Sequence, residues 1–195
     1  MKKIVLPLVV LLILGTCCVS ERKEEKGKIL MIIAPKDFRD EELSVPEEIF
    51  EKNGYRVYIA STEKEATGML GKRVSVDYLL EDVDISEYDA LVIVGGSGSR
   101  YYLWNNRKLI DMVKKAYNEG RVVAAICLSP VVLANSGILK GKEATVFPDP
   151  EAVSILKKYA IYKNENVVVS ERIVTASSPK YAKNFAESIL EKISE

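Results

Sequence analysis

Residues 122–130, V-V-A-A-I-C-L-S-P, decide the fold of this sequence. Five apolar residues lead into Cys127, and a short apolar run bounded by turn signals is typical of a fully buried parallel strand. Pro130 follows, and proline suits the first turn of a helix because its missing N–H would be unpaired there. We therefore predict that Cys127 lies at a sharp turn from strand to helix, where backbone N–H groups and the helix dipole lower the pKa of its thiol. The alternative is a buried cysteine that packs as a small apolar side chain.

The composition excludes several classes of protein. A chain of 195 residues, 48% of them hydrophobic, is long enough for one domain with a substantial core. The 28 basic residues equal the 28 acidic ones, so no charge excess favours nucleic acid as a partner. The chain has no histidine, which excludes a Ser-His-Asp triad, a Cys-His dyad and a His-ligated metal. The three cysteines, Cys17, Cys18 and Cys127, lack the spacing of a zinc site, and we expect neither a metal nor a cofactor.

The first 20 residues have the pattern of an export signal. Two lysines precede an apolar run of 11 residues at 4–14, which is shorter than the roughly 20 residues of a membrane span. The sequence L-G-T-C at 14–17 resembles a lipoprotein cleavage box, which would put lipid on Cys17. Simple cleavage and retention as an uncleaved anchor are the alternatives.

A charged tether at residues 21–27 follows the signal and leads to a domain at residues 28–195. Each alternative for the signal places this domain outside the cytoplasm, with peripheral attachment to the outer face of the membrane through the N-terminus. A single thiol there meets an oxidising environment.

The domain is predicted to alternate strands with helices. Strands are predicted at 28–34, 55–61, 90–94, 121–126, 143–147, 167–170 and 172–176. Helices are predicted at 41–53, 105–119, 130–135, 150–159 and 179–193. Residues 35–40 are expected to form a loop, and residues 62–80 an irregular segment with a hairpin around Gly71-Lys72. The alternation predicts a single α/β domain, in which helices flank a doubly wound, mostly parallel sheet.

Ligands of such sheets bind at the carboxyl ends of the strands, and three features of the sequence fall at that edge. Glu42 follows the first strand, Gly95-Gly96 the third main strand, and Cys127 the next one. Pro46 is expected in the first turn of its helix, which places Glu42 at or just before the start of the regular helix. The run G-G-S-G-S at 95–99 lacks the Lys-Ser/Thr pair of a phosphate loop, so we predict a tight turn there.

Six stretches, in order and at matching spacing, together resemble the ThiJ/PfpI family, a branch of the flavodoxin-like class I glutamine amidotransferase-like fold. The resemblance runs over residues 28–193. The stretches are D-F-R-D-E-E-L-S-V-P-E-E-I-F (37–50), G-Y-R-V-Y-I-A-S (54–61), Y-D-A-L-V-I-V-G-G (88–96), E-G-R-V-V-A-A-I-C-L-S-P (119–130), G-I-L-K-G-K-E-A-T-V-F-P (137–148) and I-V-T-A-S-S-P (173–179).

The resemblance implies a role for four residues. The family's nucleophile corresponds to Cys127, and the glutamate that hydrogen-bonds the sulfur corresponds to Glu42, four residues before Pro46. The oxyanion hole of the family implies backbone N–H donors at Gly96 and Leu128, which would stabilise developing negative charge. Homo-oligomers are common in the family, so the resemblance also implies one here.

The chain departs from the family pattern where histidine is expected. Protease-like members carry histidine directly after the cysteine, where this chain has Leu128, and other members carry it before a proline, where this chain has Phe147. No other histidine is present to replace it, so Cys-His peptidase and glutaminase activities are not expected. Members without this histidine are associated with glyoxalase-like or deglycase-like chemistry, with oxidation sensing and with chaperone-like roles.

Three functions follow as hypotheses. The first is a cysteine-dependent hydrolase or glyoxalase-like lyase, in which Cys127 attacks a small reactive carbonyl compound or a modified protein and Glu42 shuttles the proton. The second is an oxidation-responsive stress or chaperone-like protein. The third is a non-catalytic binding module, with residues 99–102 lining a pocket or, alternatively, a subunit interface.

Three further polar residues are weaker candidates for the site. Glu41 is expected to point into solvent, away from its neighbour Glu42, because adjacent residues of a helix do not face each other. Ser129 and Asp149 lie near the expected cleft as polar contacts or as helix caps.

Overall fold

The computed structural model describes residues 25–195. The predicted export signal at residues 1–20, with Cys17 and Cys18, and most of the tether therefore lie outside the described residues. The strands are β1 (Gly27–Ile32), β2 (Lys36–Phe38), β3 (Tyr55–Ser61), β4 (Glu65–Gly68), β5 (Arg73–Ser75), β6 (Tyr78–Leu79), β7 (Ala90–Ile93), β8 (Val122–Ile126), β9 (Glu143–Ala144), β10 (Ile161–Tyr162), β11 (Val167–Ser170) and β12 (Ile173–Ala176). The helices are α1 (Asp40–Lys52), α2 (Ser97–Tyr102), α3 (Arg107–Asn118), α4 (Pro130–Ser136), α5 (Pro150–Tyr159) and α6 (Ala182–Ser194). In this part of the chain no helix combines the length and the apolar character that crossing a bilayer requires.

Seven strands form the central sheet, in the order β11-β12-β8-β7-β1-β3-β6. Neighbouring strands are parallel except at β11, which runs antiparallel to β12. Two apolar clusters cover the two faces of the sheet: α3, α4 and α5 contribute to one cluster, and α1 and α6 to the other. The predicted single-domain α/β fold with a mostly parallel sheet flanked by helices is confirmed.

Strand β8 lies between β7 and β12, and its five residues have no exposed surface. Val123 and Ala125 pack into one apolar cluster, whereas Val122, Ala124 and Ile126 pack into the other. Because both faces of the strand are covered, the sequence reads as a continuous apolar run rather than as an alternation. The expectation for residues 121–126 is confirmed, and the strand delivers Cys127 to the carboxyl edge of the sheet.

The predicted hairpin around Gly71-Lys72 is confirmed, since β4 and β5 are antiparallel around that turn. The predicted loop at 35–40 is wrong in part, because β2 lies within it and pairs with β4. The predicted strand at 143–147 is shorter and includes only β9. The glycine-rich turn after β7 continues directly into α2, which begins at Ser97.

The helix predicted at 41–53 is confirmed to within one residue, but the expected position of Pro46 in its first turn is wrong. Helix α1 begins at Asp40, so Glu42 lies within its first turn and Pro46 in its interior. Three acidic residues at 40–42 favour this earlier start, because negative charge is stabilised at the positive end of a helix dipole. Pro46 has no N–H to donate to the Glu42 carbonyl oxygen, so the helix lacks one backbone hydrogen bond at this point.

Candidate active site

Cys127 lies at the sharp turn between β8 and α4, as the sequence predicts. Its φ of 61° is in the left-handed region, which non-glycine residues adopt only when surrounding contacts hold them there. Two backbone hydrogen bonds do so: the Cys127 N–H donates to the Ala176 oxygen at 2.8 Å, and the Cys127 oxygen accepts the Phe147 N–H at 2.9 Å. The residue keeps 7% of its surface exposed. The turn thus presents a free thiol at the edge of the sheet.

Helix α1 brings the carboxyl group of Glu42 to the same point. Glu42 has no exposed surface, and its Oε2 accepts the Gly95 N–H at 2.9 Å. Its Oε1 is buried without an oriented hydrogen-bond partner. Glu42 Oε2 and Cys127 Cβ each lie 2.6 Å from the position that a Cβ on Gly95 would occupy. A side chain at residue 95 would therefore separate the carboxyl group from the cysteine, and glycine keeps them adjacent.

Burial dominates the electrostatics of this pair. Loss of solvation raises the pKa of Glu42 to about 8, although the Cys127 thiol, the Gly95 N–H and the Arg39 charge each lower it. Burial, followed by the charge of Glu42, also raises the pKa of the Cys127 thiol. The prediction that the thiol pKa is lowered is wrong for this reason. The two side chains interact closely enough for their protons to belong to the pair.

Two backbone N–H groups oppose the effect of burial on the thiol. Those of Gly96 and Leu128 hydrogen-bond to Cys127 and lower its pKa. Gly96 has a φ of 101°, and a Cβ there would lie 2.5 Å from the backbone nitrogen of Arg39. Only glycine fits this close approach. The structure therefore brings together all four residues predicted for the site, while their catalytic roles stay a prediction.

The weaker candidates divide into structural and exposed residues. Glu41 forms an ion pair with Arg39 at 2.8 Å and is partly exposed. Asp149 accepts the Ala152 N–H and so caps α5, which is the alternative that the sequence left open. Asp149 also forms an ion pair with Arg100 at 2.7 Å.

Residues 99–102 do not share one surface. Ser99 is fully buried, whereas Tyr101 is 79% exposed. Sequence reasoning missed the buried contact of Ser99 with Ser129, and it missed Ala176, which fixes the Cys127 turn. Residues 173–179 carried part of the family resemblance but gave no sign of this backbone contact. Within residues 25–195, no group of three or more Cys, Asp or Glu side chains converges as a metal site.

Comparison with known proteins places this geometry in a family. The DJ-1/PfpI family model matches residues 27–192. An uncharacterized protein of Methanocaldococcus jannaschii is 50% identical and aligns over 99% of this chain and 98% of its own. Deglycase PfpI of Pyrococcus furiosus is 38% identical over 60% of this chain and 71% of its own. The crystal structure of a ThiJ/PfpI domain protein from Brachyspira murdochii, 34% identical, superposes with a TM-score of 0.81 over 86% of this chain and 96% of that one. The chain therefore belongs to the DJ-1/PfpI family.

Proposed function

We propose that this protein is a cysteine-dependent enzyme that acts on reactive carbonyl compounds, either α-oxoaldehydes or the adducts they form on proteins. One observation carries the proposal: the Glu42 carboxyl group is buried beside the Cys127 thiol, with a pKa of about 8 and one oxygen free of oriented hydrogen bonds. A group that exchanges its proton near neutral pH and touches a nucleophile is suited to acid–base catalysis. The deglycase name of the relative from Pyrococcus furiosus supports this class of substrate.

The reactive state of the pair holds one proton. That proton rests on sulfur, because burial leaves the thiol with a higher pKa than the Glu42 carboxyl group. As the substrate arrives, the Glu42 carboxylate takes this proton, and the Gly96 and Leu128 N–H groups stabilise the resulting thiolate. Because removal of the first proton governs this state, turnover is expected to rise with pH towards about 8.

Addition of this thiolate to an aldehyde forms a carbon–sulfur bond and converts the carbonyl oxygen into an alkoxide. The Gly96 and Leu128 N–H groups are positioned to stabilise the alkoxide, and Glu42 supplies the proton that converts it into a hemithioacetal. The Glu42 carboxylate then removes the proton from the carbon that bears sulfur, which gives an enediol as the neighbouring carbonyl oxygen takes up the hydroxyl proton. Glu42 returns its proton to the neighbouring carbon, and the oxygen on the carbon that bears sulfur becomes a carbonyl oxygen again. The product is a thioester, which water hydrolyses to a 2-hydroxy acid with recovery of the thiol. The sum is addition of one water to the oxoaldehyde, with no oxidant or reductant.

A Cys-His peptidase mechanism does not suit this chain. The sequence has no histidine, so no imidazole can take the thiol proton or protonate a leaving amine. Glu42 can exchange one proton, and that is enough for addition to an aldehyde, because this reaction expels no leaving group that would need a second proton. The pair therefore matches carbonyl addition better than amide hydrolysis.

The test is consumption of methylglyoxal by the purified protein, with formation of lactate measured in the same sample. We expect turnover in the parent and none with Cys127→Ala. Glu42→Gln keeps an acceptor for the Gly95 N–H but has no titrating proton, so we expect a loss of about 100-fold or more. Turnover that survives Cys127→Ala would contradict the proposal. A reactive thiol without turnover would favour the binding module instead.

A second candidate is an oxidation-responsive protein, which the same geometry supports. If peroxide oxidises Cys127 to sulfinate, two oxygens are added to the sulfur, and protonated Glu42 and the Gly96 and Leu128 N–H groups are suitable donors to them. Intact mass after mild peroxide treatment would then show two added oxygens at Cys127 in the folded protein. Oxidation only after unfolding would argue against this role.

We also propose that the protein is exported and attached to the membrane through its N-terminus, on the evidence of the pattern at residues 1–20 alone. Membrane fractionation and the mass of the mature N-terminal peptide would distinguish lipid on Cys17, simple cleavage and an uncleaved anchor. A homo-oligomer is proposed by family resemblance, and sedimentation would test it.

A further inference from the structure

Two buried serines join the turns that form the site. Ser99 and Ser129 have no exposed surface, and their hydroxyl oxygens are 2.8 Å apart. The Ser129 hydroxyl also lies 2.7 Å from the Val94 carbonyl oxygen. Since a carbonyl oxygen only accepts, Ser129 donates its single proton to Val94 and accepts the proton of Ser99. The result is a directed chain of hydrogen bonds from Ser99 through Ser129 to Val94, which we call the serine brace.

The serine brace lies where the sheet no longer connects the two turns. Pairing of β7 with β8 ends at Ile93 and Ala125. Val94 immediately precedes the glycine pair at 95–96, and Ser129 comes two residues after Cys127. The brace therefore joins the two turns beyond the last paired residues, through side chains rather than through the backbone.

Both N–H groups that hydrogen-bond to Cys127 belong to these turns. Gly96 contributes one donor from the turn that begins at Val94, and Leu128 contributes the other from the turn that ends at Ser129. The carbonyl oxygen of Leu128 is held as well, since it accepts the Trp104 Nε1–H at 2.9 Å. The distance between the two donors thus depends on how the two turns are held together.

We propose that Ser129 is a positioning residue, which sets the separation of the Gly96 and Leu128 N–H groups around the Cys127 sulfur. It does not touch the substrate and acts through those two donors. Its consequence for turnover rests on the function proposed above, but its consequence for the reactivity of the thiol does not.

Substitutions of the two serines are expected to differ in the size of their effect on the two turns. Ser129→Ala removes the contact with Val94 and leaves the Val94 oxygen and the Ser99 hydroxyl buried without their partner. Ser99→Ala removes one bond and leaves the contact of Ser129 with Val94 intact. A matched control is Ser136→Ala: Ser136 is also buried, its hydroxyl donates to the Leu133 oxygen at 2.7 Å, and it lies in α4 away from the two turns.

The test is the pH profile of iodoacetamide labelling at Cys127, followed by peptide mass so that labelling of the other cysteines is counted separately. The midpoint of the profile reports stabilisation of the thiolate, whereas a wider opening of the site changes only the plateau. We expect Ser129→Ala to move the midpoint to higher pH and to lower the labelling rate below the midpoint about threefold, since a buried hydrogen bond has an effect of this order.

We expect a smaller shift of the same sign for Ser99→Ala and the parent profile for Ser136→Ala. If Ser129→Ala does not fold, the Ser99→Ala shift decides the question. A parent profile for Ser129→Ala and Ser99→Ala, or equal shifts for all three variants, would overturn the proposal and leave the brace as packing only. Because labelling needs no substrate, absence of methylglyoxal turnover in the parent would contradict the proposed function and leave this test intact.

Discussion

Asp40 and Glu42 lie two residues apart in the first turn of α1, but their carboxyl groups have different surroundings. Both are buried, with 8% of Asp40 exposed and none of Glu42. Each oxygen of Asp40 accepts a backbone N–H, from Leu70 at 2.9 Å and from Lys72 at 2.8 Å. Glu42 accepts one N–H, from Gly95, and its other oxygen has no oriented partner. The paired carboxylate holds the backbone in place, and the half-paired one keeps a proton that it can exchange.

The helix geometry produces this division. Residues two apart on a helix point in nearly opposite directions, so the two carboxyl groups face different parts of the molecule. Asp40 faces the β4–β5 hairpin, where a Cβ on Gly68 would lie 2.5 Å from its Oδ2. Glu42 faces the turn after β7 and the Cys127 thiol. One turn of helix thus anchors a hairpin on one side and supplies an acid to the site on the other.

The largest expected effect that tests this comparison is a pH dependence of stability carried by Glu42. Its pKa is about 4.5 when unfolded and about 8 when folded, so between those values the folded state keeps a proton that the unfolded state has lost. The free energy of unfolding therefore falls as pH rises, by about 3 kcal/mol from pH 5 to pH 8 for this group. Urea unfolding at the two pH values measures it.

Glu42→Gln separates this contribution from that of every other titrating group. The variant cannot ionise, so it should lose stability between pH 5 and pH 8 by about 3 kcal/mol less than the parent does. Glutamine keeps the size of the side chain and an acceptor for the Gly95 N–H, so the comparison isolates the titrating proton. Equal pH dependence in the parent and in Glu42→Gln would show that Glu42 is ionised at neutral pH, which contradicts its proposed role.

The sequence predicted the strand before Cys127 and the proximity of Glu42 to Cys127, because apolar runs indicate buried strands and the residues that follow them indicate turns at the sheet edge. It could not predict the acidity of the thiol. The helix dipole and the backbone donors are evident from the pattern of residues 122–130, but the loss of solvation depends on how α1 closes over the site. The serine brace was hidden for a similar reason, since Ser99 and Ser129 are 30 residues apart. The sequence placed Ser99 at a pocket or a subunit interface and Ser129 at the cleft or a helix cap, and it did not indicate that the two side chains meet.

An intermediate effect is expected from Asp40→Ala, which removes the acceptor of two backbone N–H groups. The Leu70 and Lys72 N–H groups would be left without their partner, and we expect a loss of about 2 kcal/mol in the free energy of unfolding. Asp40→Asn keeps one acceptor oxygen and should lose less. Labelling of Cys127 should keep the parent pH profile in both variants. A shifted profile would show that the hairpin and the site are coupled and that the two sides of α1 are not independent.

The smallest expected effect is that of Glu41→Gln, on the residue between the two carboxyl groups compared above. Glu41 pairs with Arg39, and both side chains are partly exposed, at 41% and 29%, so the free energy of unfolding should change by less than about 1 kcal/mol. The Glu41 charge raises the pKa of Glu42 and the Arg39 charge lowers it, so removing Glu41 should move the pH midpoint of turnover slightly to lower pH. Glu41 is the weakest of the influences on the pKa of Glu42, so methylglyoxal turnover at the optimum should stay within about twofold of the parent. A loss as large as that of Glu42→Gln would mean that Glu41 supplies the proton, and the distinction drawn here between the carboxyl groups of this helical turn would be wrong.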